Sequence, residues 1–234
     1  MESTYTREFQ IEKPGHSGLL YLVQETAGDH STLLGVGREP LVEKGLFWAV
    51  IRHRLQVYRM PALGESVQVT TWPMPTTRSA YPRAAEGRDK EGKLLFRAVS
   101  LWVLMDMETR ALVLPKRSGI DVDGVILGDE LEFPGSLSPV QMPDQLSRQV
   151  CREDLDVNGH VNNCRYLDWV AQLPVEGFSG AGDLTVCYLS EALEGQTITL
   201  GWKEEGDTLR VEAIRTESEL STGHSRVFAA ELHK

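Results

Sequence analysis

Apolar and polar positions alternate along much of this chain, and they do so in two similar rounds. In residues 17–34, Leu19, Leu20, Val23 and Ala27 recur at helical spacing, which predicts an amphipathic helix. Ile51, His53, Leu55 and Val57 then alternate with Arg52, Arg54 and Gln56, so a strand is predicted with one wet face. An alternating Val67-Gln68-Val69, Trp72 and the apolar run 94–105 complete the first round. The second round opens with Tyr166, Trp169, Val170 and Leu173 at i, i+3, i+4 and i+7, a helical stripe that Asn162 or Asn163 can cap and Pro174 stops. Strands are predicted over 184–188, 196–202, 208–214 and 227–232, with charged turns at 89–93 and 203–207.

These rounds form a diverged tandem repeat. Ala62-Leu63-Gly64-Glu65 corresponds to Ala192-Leu193-Glu194-Gly195, and the Gly64–Trp72–Gly92 spacing of 8 and 20 residues corresponds to 7 and 21 for Gly195–Trp202–Gly223. Each half therefore reads as one helix plus several antiparallel strands, an α+β layout. Residues 118–144 hold Gly119, Gly124, Gly128, Pro134, Gly135, Pro139 and Pro143 without periodicity, and read as a linker between domains at 1–117 and 145–234.

Composition changes this picture little. At 234 residues, 41% hydrophobic and 25% charged, the chain can build one large or two small cores. No stretch nears the ~20 apolar residues of a membrane span. The first ten residues carry Glu2, Arg7 and Glu8 and no apolar region, so no secretory signal is expected. Three scattered cysteines, Cys151, Cys164 and Cys187, argue against a disulfide framework and for a reducing cytoplasm. The net charge of −10 argues against nucleic-acid binding. Residues 52–97 nevertheless hold nine basic and four acidic side chains, a local +5 that leaves −15 for the rest. Either some strands simply expose arginines, or this segment receives an acidic partner.

The chemistry concentrates in Asp156-Val157-Asn158-Gly159-His160-Val161-Asn162-Asn163, an acid, three amides and a histidine directly before the second helix. A capped turn accounts for Gly159 and one asparagine. It does not require the alternation Asp156, Asn158, His160, which in an extended segment points three polar groups one way. Acyl transfer needs donors for an oxyanion, and N–H groups at the start of the helix at 162–173 can supply them. His160 can move a proton near neutral pH, Asp156 can act as base or nucleophile, and Asn158 can hold a carbonyl or water. His160 and Cys164, four apart, have the spacing of a helical zinc pair, but no second ligand pair accompanies them. His16, His30, His53, His224 and His233 show no partner pattern, and Gly35-Val36-Gly37 lacks nucleotide-binding context.

The run DVNGHVNNCRYLDW at 156–169 resembles the active-site motif of the acyl-acyl carrier protein thioesterases of bacteria and plant plastids. The resemblance extends through residues 48–54, Thr70-Thr71-Trp72, Ser100-Leu101-Trp102-Val103 and Thr109-Arg110, and covers roughly residues 5–230. It implies two fused hotdog domains, each a helix with an antiparallel sheet. It also brings a second motif, Tyr-x-x-Glu, matched by Tyr188-Leu189-Ser190-Glu191. The implied catalytic set is Asp156, Asn158, His160 and Glu191, with no cofactor or metal. Plant members often carry Cys after that glutamate; here Ala192 stands there. The first half has no counterpart of the 156–163 cluster, and the resemblance gives it the acyl chain to house. The expected reaction is hydrolysis of fatty acyl-acyl carrier protein to free fatty acid and carrier, ending chain elongation in fatty acid biosynthesis. The alternatives are an acyl-coenzyme A thioesterase and a non-catalytic acyl-thioester-binding hotdog protein. The acidic carrier is expected to dock on the basic segment, at Arg83, Arg88, Lys90 and Lys93. Chain length, saturation and oligomeric state, a homodimer included, stay open.

Overall fold

The computed structural model describes residues 3–122, 124–128, 131–156, 158–215 and 226–234. The chain divides into two compact units, Met1–Pro134 and Gly135–Lys234, so the boundary falls inside the segment read as a linker.

The first unit contains β1 (Tyr5–Gln10), α1 (His16–Leu33), α2 (Arg38–Glu43), β2 (Leu46–Val57), β3 (Ser66–Pro73), β4 (Tyr81–Arg88), β5 (Leu94–Asp106), β6 (Leu112–Val113) and α3 (Pro115–Ser118). Its strands lie in the order β1-β3-β4-β5-β2, each pair antiparallel, with β6 on β5. Alternation decides which side chains go inward: Val67, Val69 and Thr71 of β3 are fully buried, whereas Gln68 between them is exposed. α1 turns Leu19, Leu20, Val23, Thr26, Ala27 and His30 into the interior, against β1 and β3. The second unit contains β7 (Asp144–Gln149), a 3-10 turn (Arg152–Asp154), α4 (Asn163–Val170), β8 (Gly182–Tyr188), β9 (Thr197–Glu205), β10 (Thr208–Arg215) and β11 (Arg226–His233). Its order, β7-β9-β10-β11-β8, reproduces that of the first unit strand for strand. α4 packs by aromatic contact, with Tyr166 stacked on Phe228 of β11 at 4.9 Å and edge-on to Trp169 at 5.0 Å.

Several expectations shift in detail. α4 stops at Val170, three residues before the end of the apolar stripe, and Leu173 is buried from the turn that follows. Described residues of the 118–144 segment are fastened at several points. Ile120 packs with Tyr81 and Leu104, the Val125 N–H donates to the Pro73 carbonyl, and Arg52 reaches the Pro134 carbonyl. Beyond the boundary the Val140 N–H donates to Glu212, and Arg226 reaches the Leu137 carbonyl. The turn expected at Gly223, and His224 beside it, lie outside the described residues.

The inner face of the first sheet carries a buried polar row. Arg83, Ser100 and His53 are register partners on β4, β5 and β2. His53 Nδ1 meets Ser100 Oγ at 2.8 Å, with both residues almost wholly enclosed. Burial pushes the His53 imidazole down to about 3, so it is neutral at physiological pH.

Candidate active site

The 154–162 segment is a short hairpin, not the extended run that its alternation suggested. The Asn162 N–H donates to the Asp154 carbonyl at 2.8 Å and the Asp156 N–H to the His160 carbonyl at 2.8 Å, with a Leu155–Val161 bridge between. Gly159 turns the tip at φ 81°, a left-handed conformation that glycine adopts without steric cost. The Asp156 carboxylate closes the turn: its Oδ1 accepts the N–H of Asn158 (2.8 Å) and of His160 (3.3 Å), and its Oδ2 meets the Asn158 amide at 3.3 Å.

The second arm of this hairpin pairs with residues 192–193. The Val161 N–H donates to the Ala192 carbonyl at 2.9 Å, and His160 opposes Leu193. Glu191 lies two residues from Leu193 and therefore on the same side of the ladder, diagonally across from His160. The diagonal is short enough for contact: His160 Nε2 stands 3.1 Å from Glu191 Oε2. The strip carrying Glu191 is pinned in turn, because Ser190 Oγ donates to the Arg226 carbonyl at 3.0 Å and accepts from Arg215 at 2.8 Å. The four expected residues are thus brought together by one three-stranded ladder. The side chains of His160 and Glu191 keep 23% and 48% of their accessibility, so solvent reaches both.

Two buried phenols lie behind the hairpin. Burial raises the phenols of Tyr166 and Tyr188 well above the usual tyrosine range. The start of α4 differs from expectation. Asn162 is the cap, its Oδ1 accepting the Cys164 N–H at 2.9 Å, while the N–H groups of Asn162 and Arg165 are taken by the Asp154 and Asn162 carbonyls. The exposed Asn158 side-chain amide is the better-presented donor. Cys164 and Cys187 are buried and Cys151 is exposed, all three as free thiols. Metal-type clusters of three or more His, Cys, Asp or Glu are absent among the described residues.

Sequence reasoning passed over Asp154, Arg148 and Arg215, which hold the ladder, and read Trp169 only as core. The buried Asp154 accepts the Trp169 indole N–H at 3.3 Å, and the Arg148 guanidinium lies 4.3 Å from the centre of the Trp169 ring. A buried acid fifteen residues from its aromatic donor leaves no local spacing pattern.

The basic segment needs correcting. Arg83 retains only 7% exposure and donates to His30 Nδ1 at 3.0 Å, near Ser31 and Thr71, so its charge is not offered to a partner. Burial lowers its guanidinium to about 10. Arg52 and Arg54 lean on the 132–134 segment. Arg88 is clamped to Glu86 at 2.8 Å and to the Gly92 carbonyl. Lys90 and Lys93 are exposed, with Lys90 3.7 Å from Glu91.

Comparison with known proteins gives a consistent result. Residues 8–114 match the family model for the acyl-ACP thioesterase N-terminal domain, and residues 138–228 match that for the C-terminal domain. A chloroplastic palmitoyl-acyl carrier protein thioesterase of Gossypium hirsutum is 32% identical over 191 residues, 74% of this chain and 46% of that protein. A chloroplastic oleoyl-acyl carrier protein thioesterase of Coriandrum sativum is 30% identical over 207 residues, 79% of this chain and 52% of that one. The chain spans about half the length of these relatives. Among solved structures, an acyl-ACP thioesterase from Bacteroides thetaiotaomicron superimposes with a TM-score of 0.80 at 22% identity, covering 99% of this chain and 97% of that one. The 12:0-ACP thioesterase of Umbellularia californica gives 0.79 at 24% identity, covering 100% and 97%. These likenesses show the fold, a tandem hotdog.

Proposed function

The chain belongs to the acyl-ACP thioesterase family, and on that premise we propose that it hydrolyses the thioester of a fatty acyl-acyl carrier protein. The products are the free fatty acid and the carrier, and the reaction ends chain elongation in fatty acid biosynthesis. The observation that carries this reading is the 3.1 Å contact between His160 and Glu191 on the ladder that also holds Asp156 and Asn158.

The two carboxylates have different freedom. One oxygen of Asp156 is occupied by two backbone N–H groups, so this residue chiefly shapes the turn and fixes charge beside it. Glu191 is half exposed and touches His160, which suits it to take a proton from water. Water oxygen attacks the thioester carbon, and its proton passes to the Glu191–His160 pair. The second N–H of the Asn158 amide stabilises the oxyanion. Collapse breaks the C–S bond, and the pair returns the proton to the departing sulfur. No thiol takes part, in keeping with Ala192 after Glu191 and with the buried Cys164 and Cys187.

The N-terminal unit, which has no such ladder between β1 and α1, is proposed to house the acyl chain. The acidic carrier is proposed to dock at the 89–93 turn, through Lys90 and Lys93 with Arg88 beside them. Free thiols at Cys151, Cys164 and Cys187 suit a reducing cytoplasm. Turnover of matched acyl-carrier and acyl-coenzyme A substrates tests the proposal. Faster cleavage of the carrier substrate is expected, with a ~10²–10⁴-fold fall in His160→Ala and Glu191→Gln of unchanged melting temperature. Near-wild-type rates in either variant would remove that residue from the mechanism.

A further inference from the structure

The hairpin that carries Asp156 and His160 is only a few residues long, and so small a ribbon has little stability of its own in water. Something outside it must hold its base. Asp154 occupies that base and is only 6% exposed. A buried carboxylate is costly unless both oxygens are used, and here both are. Oδ1 accepts the Trp169 indole N–H at 3.3 Å and stands 3.8 Å from an Arg148 guanidinium nitrogen, while Oδ2 accepts the Cys151 N–H at 3.0 Å. Its backbone is committed as well, the N–H donating to the Cys151 carbonyl at 3.0 Å and the carbonyl accepting the Asn162 N–H at 2.8 Å.

One residue thus joins four pieces of the second unit: β7 through Arg148, the start of the 3-10 turn through Cys151, the last turn of α4 through Trp169, and the cap of α4 through Asn162. Arg148 adds a second hold by lying over the Trp169 ring, 4.3 Å from its centre. Asp156 is two residues beyond Asp154 on one arm, and His160 is two residues before Asn162 on the other. Movement at the base passes directly to the tip.

We infer that Asp154 is a positioning residue for the reaction, which with Trp169 fixes where the hairpin presents His160 to Glu191. This rests on the proposal that His160 and Glu191 carry the chemistry. Asp154 touches neither of them in the contacts described; it acts through the hairpin base. Displacement of reacting groups by about 1 Å can cost ~10²-fold in rate, so loss of the clamp should lower kcat while KM stays near its wild-type value.

The test compares Asp154→Ala, Asp154→Asn and Trp169→Phe in the full chain. Measurements are melting temperature, kcat, KM on an acyl-carrier substrate, and the NMR titration of the His160 imidazole protons. Asp154→Ala should lower kcat ~10²-fold and shift the His160 resonances. Trp169→Phe removes the indole donor and shrinks the ring under Arg148, and should produce a smaller effect of the same kind. Combining the two should cost less than the sum of the single effects, because Asp154 and Trp169 share one interaction. Asp154→Asn keeps one acceptor oxygen and should fall between wild type and Asp154→Ala. If Asp154→Ala does not fold, the other two variants decide. Folded variants with wild-type kcat and an unmoved His160 titration overturn the inference. An inactive wild-type chain whose His160 resonances still move in these variants would overturn the proposed function and leave the clamp standing.

Discussion

His53 makes a sharp prediction because its burial has a calculable consequence for stability. It lies wholly inside the first unit against Ser100, and burial holds its imidazole down at about 3, against ~6.5 in an unfolded chain. Between those values the unfolded chain binds a proton that the folded chain refuses. The contribution is therefore fully present above pH ~6.5 and is lost as pH falls toward 3, with a slope reaching ~1.4 kcal/mol per pH unit. From pH 7 to pH 5 this integrates to about 2 kcal/mol, or roughly 4–8 °C in melting temperature for a chain of this size. His53→Asn keeps a hydrogen-bonding partner for Ser100 and does not titrate. Denaturation of both proteins at pH 7, 6 and 5 isolates the effect, since every other titrating group is shared. Wild type should lose about 2 kcal/mol more than the variant over that range. Parallel losses in the two proteins would refute the reasoning and mean that His53 accepts its proton in the folded state.

Other outcomes follow from the site. Asp156→Asn keeps an oxygen for the N–H groups of Asn158 and His160, so it should leave the melting temperature unchanged and lower kcat ~10²-fold or more. Asp156→Ala frees both N–H groups and should also cost about 1 kcal/mol in denaturant unfolding. The variant Cys151→Ser/Cys164→Ala/Cys187→Ala should keep most of its turnover when folded; complete loss in folded Cys164→Ala would give that thiol a part in the reaction. Charge reversal at Lys90 and Lys93 should lower kcat/KM on acyl-carrier substrate, added salt should mimic the loss over the ~8 Å screening length, and a small neutral thioester should respond to neither. Unchanged carrier turnover in the reversals would move docking elsewhere.

The repeat and both main helices were legible because each buries a patterned face. β1, α2 and β7 were not. β7 reads Asp-Gln-Leu-Ser-Arg-Gln and is almost wholly exposed, so only backbone pairing with β9 makes it a strand. α2 is six residues long with Leu41 alone buried. Within the candidate site, the residues expected from the sequence take a local form that differs from the expected one. Asp156-Val157-Asn158-Gly159-His160 alternates as a strand does, yet the Asp156 carboxylate captures two N–H groups and Gly159 reverses the chain. Arg83 shows the limit of counting charge along the chain: a local basic excess does not tell that His30 of α1 covers this side chain. The Asp154–Trp169 contact is tertiary and has no signature in local spacing.

The two halves spend nearly the same length of chain between their first strand and the end of their helix. In the first unit 23 residues follow Gln10 to reach Leu33, 5 of connection and 18 of helix; in the second, 21 follow Gln149 to reach Val170, 13 of connection and 8 of helix. The hairpin proposed to carry the chemistry thus occupies length that its twin spends on helical turns. The proposed division of labour between the two halves comes down to how one such stretch is apportioned, while the five-strand order beneath it stays the same. An engineer seeking a second reaction centre would unwind the opening turns of α1 and leave the sheet untouched.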